Sequence, residues 1–272
     1  MMKNYSTIRF LISDGVAQIS LNRQEIHNAF NEEMIEELSE VYTDLDTNFD
    51  VRVVVLQGEG KSFCAGADLN WMRSVAKYSY DENLKESENL SACFYAIYTC
   101  SKPTVAVVHG AAIGGANGLL AACDFVGAEE ETVFSLSEVK IGIIPACISP
   151  YIVKRIGEYN ARETMLTGMR FNGEKAKAMG LVNFSGTMDE VEDYISTIIN
   201  SIQSSGPRAV STCKQLLDNL TNSWTFDEAR SKTAEMIAQL RQSDEGQEGM
   251  DAFLNKRKPN WEVESSEYKD TV

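Results

Sequence analysis

Phe63-Cys64-Ala65-Gly66-Ala67-Asp68-Leu69 and Gly110-Ala111-Ala112-Ile113-Gly114-Gly115-Ala116-Asn117-Gly118 are two glycine-containing loops, each placed after a run that reads as a strand. Residues 51–56 form a β-branched run closed by Gly58, and residues 104–108 form a second one after Pro103. Small residues allow a ligand to come close to the main chain. Amides that open a helix point outward and carry the positive end of its dipole. Two such turns brought together can stabilise an enolate-like or tetrahedral oxyanion. Either loop alone reads equally well as a tight strand-to-helix connection with no ligand. Neither is a nucleotide signature, because the second lacks the G-x-G-x-x-G order and no G-x-x-x-x-G-K-[ST] occurs.

Around these loops the first half of the chain alternates strands and helices. Residues 16–21 alternate apolar and polar, as a half-buried strand does. Asn31 is placed to cap a helix that carries Met34, Leu38, Val41 and Leu45 on one face. Leu90, Phe94 and Ile97 stand at helical spacing within residues 84–98, and the second glycine loop runs on into a small-residue helix through residue 122. Beyond Ser149-Pro150, an N-cap followed by proline, the pattern is mainly helical. Gly157 is placed to close that short helix, and Asn172 and Gly180 bracket the next. Residues 191–202, 207–220, 226–240 and about 245–256 read as further amphipathic helices. No linker or repeat divides the chain, so one α/β core with a helical C-terminal extension is expected.

Composition narrows the function classes. The chain has 272 residues, 43% hydrophobic and 24% charged, an ordinary globular composition. No run approaches the roughly 18 apolar residues of a membrane span. The first ten residues resemble neither a secretory signal nor a transit peptide, so a cytoplasmic protein is expected. Its six cysteines show no C-x-x-C spacing, which leaves neither a disulfide framework nor a metal site as the expectation. The formal charge of −15 argues against nucleic acid as a partner.

In this order and spacing, the two loops resemble those of the crotonase (enoyl-CoA hydratase/isomerase) superfamily. Asn22-Arg23 through His27-Asn28-Ala29-Phe30 resembles the family's N-R-P-x-x-x-N-A-[LF] segment, with Gln24 in place of proline. Cys123-Asp124 resembles its C-D pair, and Ser137-Glu138-Val139-Lys140-Ile141-Gly142-Ile143-Ile144-Pro145 its catalytic-glutamate segment. Gly249-Met250-Asp251-Ala252-Phe253-Leu254-Asn255-Lys256-Arg257-Lys258-Pro259 resembles its C-terminal G-x-x-A-F-[LE]-x-K-R-x-P segment. The resemblance runs from about residue 10 to residue 261.

The resemblance implies a crotonase-like spiral of β-β-α turns over residues 1–195 and a helical oligomerisation region over residues 196–272. It further implies homotrimers, often paired into hexamers, and an acyl-CoA substrate whose coenzyme A is part of the substrate, with no separate cofactor. The amides of Ala67 and Gly115 would hold the thioester oxygen, with Gly114 beside them. The backbone around Ala65, Asp68 and Leu69 would recognise the adenine, Asp68 itself serving as a turn carboxylate. Lys256 and Arg257 are candidates for the coenzyme A phosphates, and equally for a solvated cationic helix end. Residues 74–89 fall where the family lines its acyl pocket, with Tyr78 and Tyr80 either shaping it or packing on the surface.

Hydration of a double bond needs a proton moved to carbon and a water activated for attack. Hydratases of this family use two glutamates for this. One of those positions matches Glu138, which sits in an apolar stretch that would raise its proton affinity if it were buried. A helix-start or solvent-facing carboxylate is the other reading of Glu138. The second position matches Gly118, a departure that leaves two reactions open. Glu138 alone can shuttle a proton, as in Δ3,Δ2-enoyl-CoA isomerases, or can manage hydration with other help. Asn117, next to it, reads as a helix-packing residue as readily as a catalytic one. The run from Leu136 to Tyr151, with glycine at 118, resembles bacterial methylglutaconyl-CoA hydratases of leucine catabolism. Hydration of a branched, carboxylated 2-enoyl-CoA is therefore the expectation. A serine protease, which the same fold can support, lacks a motif around either His27 or His109, and an RNA-binding relative is opposed by the charge.

Overall fold

The sheet at the centre of the protein is explained by the apolar runs that build it. In the computed structural model, which describes residues 4–262, these runs are β2 (Val16–Leu21), β3 (Val53–Gly58), β4 (Thr104–Val108) and β6 (Phe125–Glu129). They lie side by side and parallel. β1 (Ile8–Ser13) adds antiparallel at one edge and β9 (Phe184–Gly186) parallel at the other. Parallel strands covered on both faces must be apolar throughout. Alternate residues of β3 accordingly enter two cores: Val54 and Leu56 face the main one, and Val53 and Val55 a smaller one.

Helices cover both faces of that sheet. α1 (Glu32–Asp46) brings Met34, Leu38, Val41 and Leu45 to the main core, and Asn31 Oδ1 accepts from the Met34 amide as its cap. α3 (Tyr80–Thr99) packs beside it through Cys93, Phe94 and Ile97. The opposite face is covered by α7 (Met188–Gln203), which lays Val191, Ile195, Ile199 and Ile202 on Val53, Val55 and Val105.

A second, shorter sheet makes the chain a spiral. It contains β5 (Ala111–Ile113), β7 (Val133–Ser135) and β8 (Arg170–Phe171), β5 and β7 being parallel. Parallel bridges extend it, Cys64 to Ala112 and Phe30 to Ala67. Each turn of the chain thus runs from a long strand to a short one and then to a helix. β3 leads through Cys64 to α2 (Leu69–Val75), β4 through β5 to α4 (Ala116–Ala122), and β6 through β7 to α5 (Ser149–Thr167). Short strands of two or three residues carry too little periodicity to be read from sequence.

α5 shows where the capping expectation fails and where it holds. Ile148 is the N-cap, because the Ser149 hydroxyl donates to Pro145 O at 2.5 Å instead of capping. Gly157, with φ at +73°, does break the helix. α6 (Gly173–Met179) is bounded as expected by an Asn172 cap and a left-handed Gly180.

The last three helices, α8 (Pro207–Asn222), α9 (Phe226–Gln242) and α10 (Asp244–Leu254), bury only Ala229 and Ala252 and leave Leu217, Phe226, Phe253 and Leu254 exposed. Lys214 of α8 ties them to the core, its Nζ lying 2.6 Å from Asp124 Oδ2. Asp124, from the Cys123-Asp124 pair, also accepts from the Thr104 amide and is a structural brace. Among the described residues no helix is long and apolar enough to cross a membrane.

Candidate active site

The second sheet sets the two glycine loops in register. Cys64 pairs with Ala112, the Cys64 amide donating to Ala111 O at 3.0 Å and the Ile113 amide to Cys64 O at 3.1 Å. Ala67 and Gly115 are each the third residue past that pair, so equivalent positions of adjacent turns carry them. Most amides of these loops are used. Ala65 donates to His27 O, Asp68 to Phe30 O and Gly114 to Ser135 O, all at 2.8–2.9 Å. The amides of Ala67 and Gly115 have no acceptor among the described residues.

Phe30 joins the two turns. Its backbone pairs with Ala67, and its ring lies on Gly115, where an added methyl group would sit 2.5 Å from Cζ. Trp71 of α2 meets the same ring edge-on, with centroids 5.7 Å apart. The Asn22–Phe30 segment holds the first loop from below. Arg23 donates to Asp68 Oδ2 at 2.8 Å and to Ala29 O at 2.6 Å, while buried Asn28 donates to the carbonyls of Glu59 and Ser62. Asp68 caps α2 by accepting from the Asn70 amide. Burial pushes its carboxyl up, but that amide and the Arg23 guanidinium outweigh burial and hold it below the ordinary range.

Glu138 opens a 3-10 turn, Glu138–Ile141, just past β7. Its carboxyl lies over the second loop, with Oε1 3.2 Å from where a methyl on Gly114 would be. Oε2 is buried and has no hydrogen-bond partner. Burial raises the proton affinity of the group, only partly offset by its own backbone amide. Glu138 thus starts the turn and is half-buried, with one carboxyl oxygen fully buried.

Asn117 works on the same turn from inside. Its Nδ2 donates to Ala112 O, Gly114 O and Ser135 O at 3.0–3.1 Å, so it pins the loop to β7. This is a packing role, and the amide does not reach the face that carries Glu138's carboxyl through any hydrogen bond. At Gly118 the space for a side chain is filled. An added methyl would lie 2.2 Å from Ile148 Cγ2 and 2.9 Å from Phe94 Cε1.

The remaining expected residues are more scattered. Ala65 O and the Leu69 amide, beside the exposed Leu69 side chain, have no partner among the described residues and are what this corner can offer a ligand. Lys256 stands exposed at the end of α10 in a left-handed conformation, φ +53°. Arg257 is engaged within its own chain, with its two terminal nitrogens on Glu248 at 2.7 Å and on Asp251 at 2.6 Å. Tyr80 is exposed, whereas Tyr78 is half-buried.

A family model described as enoyl-CoA hydratase/isomerase matches residues 11–264. A Thermus thermophilus protein provisionally named an enoyl-CoA hydratase is 36% identical over 90% of this chain and 97% of its own. The peroxisomal Delta(3,5)-Delta(2,4)-dienoyl-CoA isomerase of Arabidopsis thaliana is 31% identical over 96% of this chain and 98% of its own. Among solved structures, an enoyl-CoA hydratase from Shewanella pealeana superimposes with a TM-score of 0.90 at 38% identity, covering 94% of this chain and 96% of that one.

Proposed function

Starting from the fact that the chain belongs to the enoyl-CoA hydratase/isomerase family and has the crotonase spiral with its helical C-terminal region, we propose that it hydrates a branched 2-enoyl-CoA through Glu138. The observation that carries this reading is one carboxyl group with a buried, unpartnered oxygen above the second of two adjacent turns whose free amides stand in register. The amides of Ala67 and Gly115 receive the thioester oxygen. As water adds to C3, negative charge moves onto that oxygen, where two preorganised donors stabilise it. Ionised Glu138 takes a proton from the attacking water and returns one to C2, which ends the cycle with the carboxylate restored.

A second reading has its own support in the closure of position 118 by Ile148 and Phe94, which leaves Glu138 without a partner glutamate there. A single carboxylate suffices for isomerisation, in which it removes a proton from C2 of a 3-enoyl-CoA and delivers one to C4. Hydration is preferred on the likeness of residues 136–151 to methylglutaconyl-CoA hydratases. Incubation with 3-methylglutaconyl-CoA, crotonyl-CoA and a 3-enoyl-CoA, with products identified by mass and NMR, tests the choice. Double-bond migration in the last, with water added to none, would select isomerisation.

The adenine falls in this reading to Ala65 O and the Leu69 amide, with Asp68 fixing the corner and Gly114 leaving room for the thioester. Lys256 is the better phosphate ligand of its pair, because Arg257 is already held by two carboxylates. The apolar side chains left exposed on α8 to α10 support the described part of the expected oligomerisation region, residues 196–262, as the surface that assembles a trimer, or a hexamer of two trimers; residues 263–272 of that region lie outside the described residues. Sedimentation equilibrium distinguishes these from a monomer.

A further inference from the structure

The 3-10 turn that carries Glu138 buries none of its own residues, and Ile141, Ile143 and Ile144 stand exposed. Its backbone bonds close on the turn itself, Lys140 N–H to Ser137 O at 2.9 Å and Ile143 N–H to Glu138 O at 3.3 Å. The place of the carboxyl is therefore set by what packs behind the turn.

Gly168 supplies that backing. It ends α5 in the left-handed region, φ +55°, and is buried. A methyl group added to it would lie 3.2 Å from Ser137 Cα and from Lys140 Cγ and Cε, in the residues that flank Glu138. Ser135 holds Gly168 in turn. Its Oγ donates to Gly168 O at 3.2 Å, and the residue is only 2% exposed. A buried hydroxyl costs free energy unless it is bonded. Here the bond goes to the buttress of the Glu138 turn and not to the residue's own strand. The main chain of Ser135 serves the second glycine loop, Ser135 O accepting from the Gly114 amide at 2.8 Å and from Asn117 Nδ2 at 3.0 Å. Glu138 Oε1 lies 3.2 Å from the methyl position on that same Gly114. One residue on β7 thus joins the two parts of the site.

We propose that Ser135 is a positioning residue for the reaction. Its carbonyl fixes the turn that bears the Gly115 amide, and its hydroxyl fixes Gly168 and through it the Glu138 turn. Base and oxyanion donor then keep a single spacing. This rests on the reading that Glu138 moves the proton while the Gly115 amide receives the thioester oxygen. Such spacing matters because a displacement of about 1 Å can cost about 10²-fold in rate.

Hydrogen exchange at C2 of butyryl-CoA in D2O tests the proposal, since this saturated thioester can be neither hydrated nor isomerised. The Glu138 carboxylate takes a C2 proton, and the electron pair of that C–H bond moves onto the thioester oxygen. The enolate then takes a deuteron from the carboxyl group, once that has exchanged with solvent. Saturated exchange rates are read by NMR and Kd values by calorimetry on the full-length protein. Ser135→Ala, which removes only the hydroxyl, should exchange about tenfold more slowly or worse while its Kd stays within about threefold of the wild type. Ser135→Thr keeps the hydroxyl and should recover most of the rate. Gly168→Ala, which presses on Ser137 and Lys140, should be slowed as well. A merely structural role would lower Tm and leave the saturated rate per folded molecule unchanged; that result in Ser135→Ala overturns the proposal. Equal exchange by the wild type and Glu138→Gln would instead remove the reading of Glu138 on which it rests.

Discussion

The ring of Phe30 rests on the α-carbon of Gly115, so close that an added methyl group would lie 2.5 Å from Cζ. Because the Phe30 backbone also pairs with Ala67, a single residue fixes the spacing between the two free amides. Gly115→Ala should therefore displace the ring or the turn and separate the donors. The expected result is a loss of roughly 10²-fold or more in kcat, the usual cost of losing one oxyanion donor. Phe30→Leu, which frees the space, should restore part of the activity in the double variant. Steady-state kinetics on the four proteins of that cycle check both statements.

Asn117 should matter for structure more than for proton transfer. Replacing it with leucine removes one donor from each of the carbonyls of Ala112, Gly114 and Ser135, although Ser135 O keeps the Gly114 amide and Gly114 O the backbone amide of residue 117. A loss of about 3 kcal/mol in unfolding free energy is expected, at the high end for one side chain. Urea denaturation measures it. A variant as stable as the wild type would show that the turn is held in some other way.

Glu138→Gln should bind acyl-CoA nearly normally and lose about 10²–10⁴-fold in turnover, the range for removing a general acid or base. Since its Oε2 lacks a partner, no hydrogen bond is broken by the change. Thermal stability should be equal or higher, and a large drop in Tm would instead give Glu138 a structural role.

The pH dependence has a definite sign. Burial raises the Glu138 carboxyl in the folded protein above its unfolded value of about 4.3. Between those two values the native state holds more protons, so stability contributed by this group is complete below the window and falls as pH rises through it. Glu86 is shifted in the same direction, so Glu138→Gln should flatten the slope only in part. As a base Glu138 must be ionised, so kcat/KM should rise with pH through a limb lying above the ordinary carboxylate range. Stability and rate profiles from pH 4 to pH 8 read both effects.

What could be read from sequence followed from periodicity and from local chemistry. The apolar runs of β2, β3 and β4, the Asn31 cap and the two glycine loops are visible because each depends on neighbours in the chain. β5, β7 and β8 are too short to show a period, and the Cys64–Ala112 bridge that aligns Ala67 with Gly115 is a single pair. Arg23 and Asn28 stood out as a motif, but their work on Asp68, Glu59 and Ser62 spans turns of the spiral. Glu86 shows in the sequence only as an acidic residue in line with Leu90, Phe94 and Ile97, the inward stripe of α3. The Arg257 pairing with Glu248 was likewise legible at best as helix-end charge, since Arg257 lies beyond the end of α10.

Position 118 offers the sharpest separation between motif and packing. Restoring a glutamate there would match the two-glutamate pattern of hydratases, yet a side chain at that site meets Ile148 Cγ2 at 2.2 Å and Phe94 at 2.9 Å. Gly118→Ala alone should cost about 1–3 kcal/mol by overpacking, visible as a Tm lower by several degrees, and Gly118→Glu more because it also buries a carboxyl. Neither variant should gain rate. Combining Gly118→Glu with Ile148→Ala removes the nearer obstruction, so this pair should recover stability relative to Gly118→Glu. If the double variant also hydrates crotonyl-CoA faster than the wild type, the pocket can house the second carboxylate once the obstruction is removed. A single Gly118→Glu variant as stable as the wild type would contradict the packing argument.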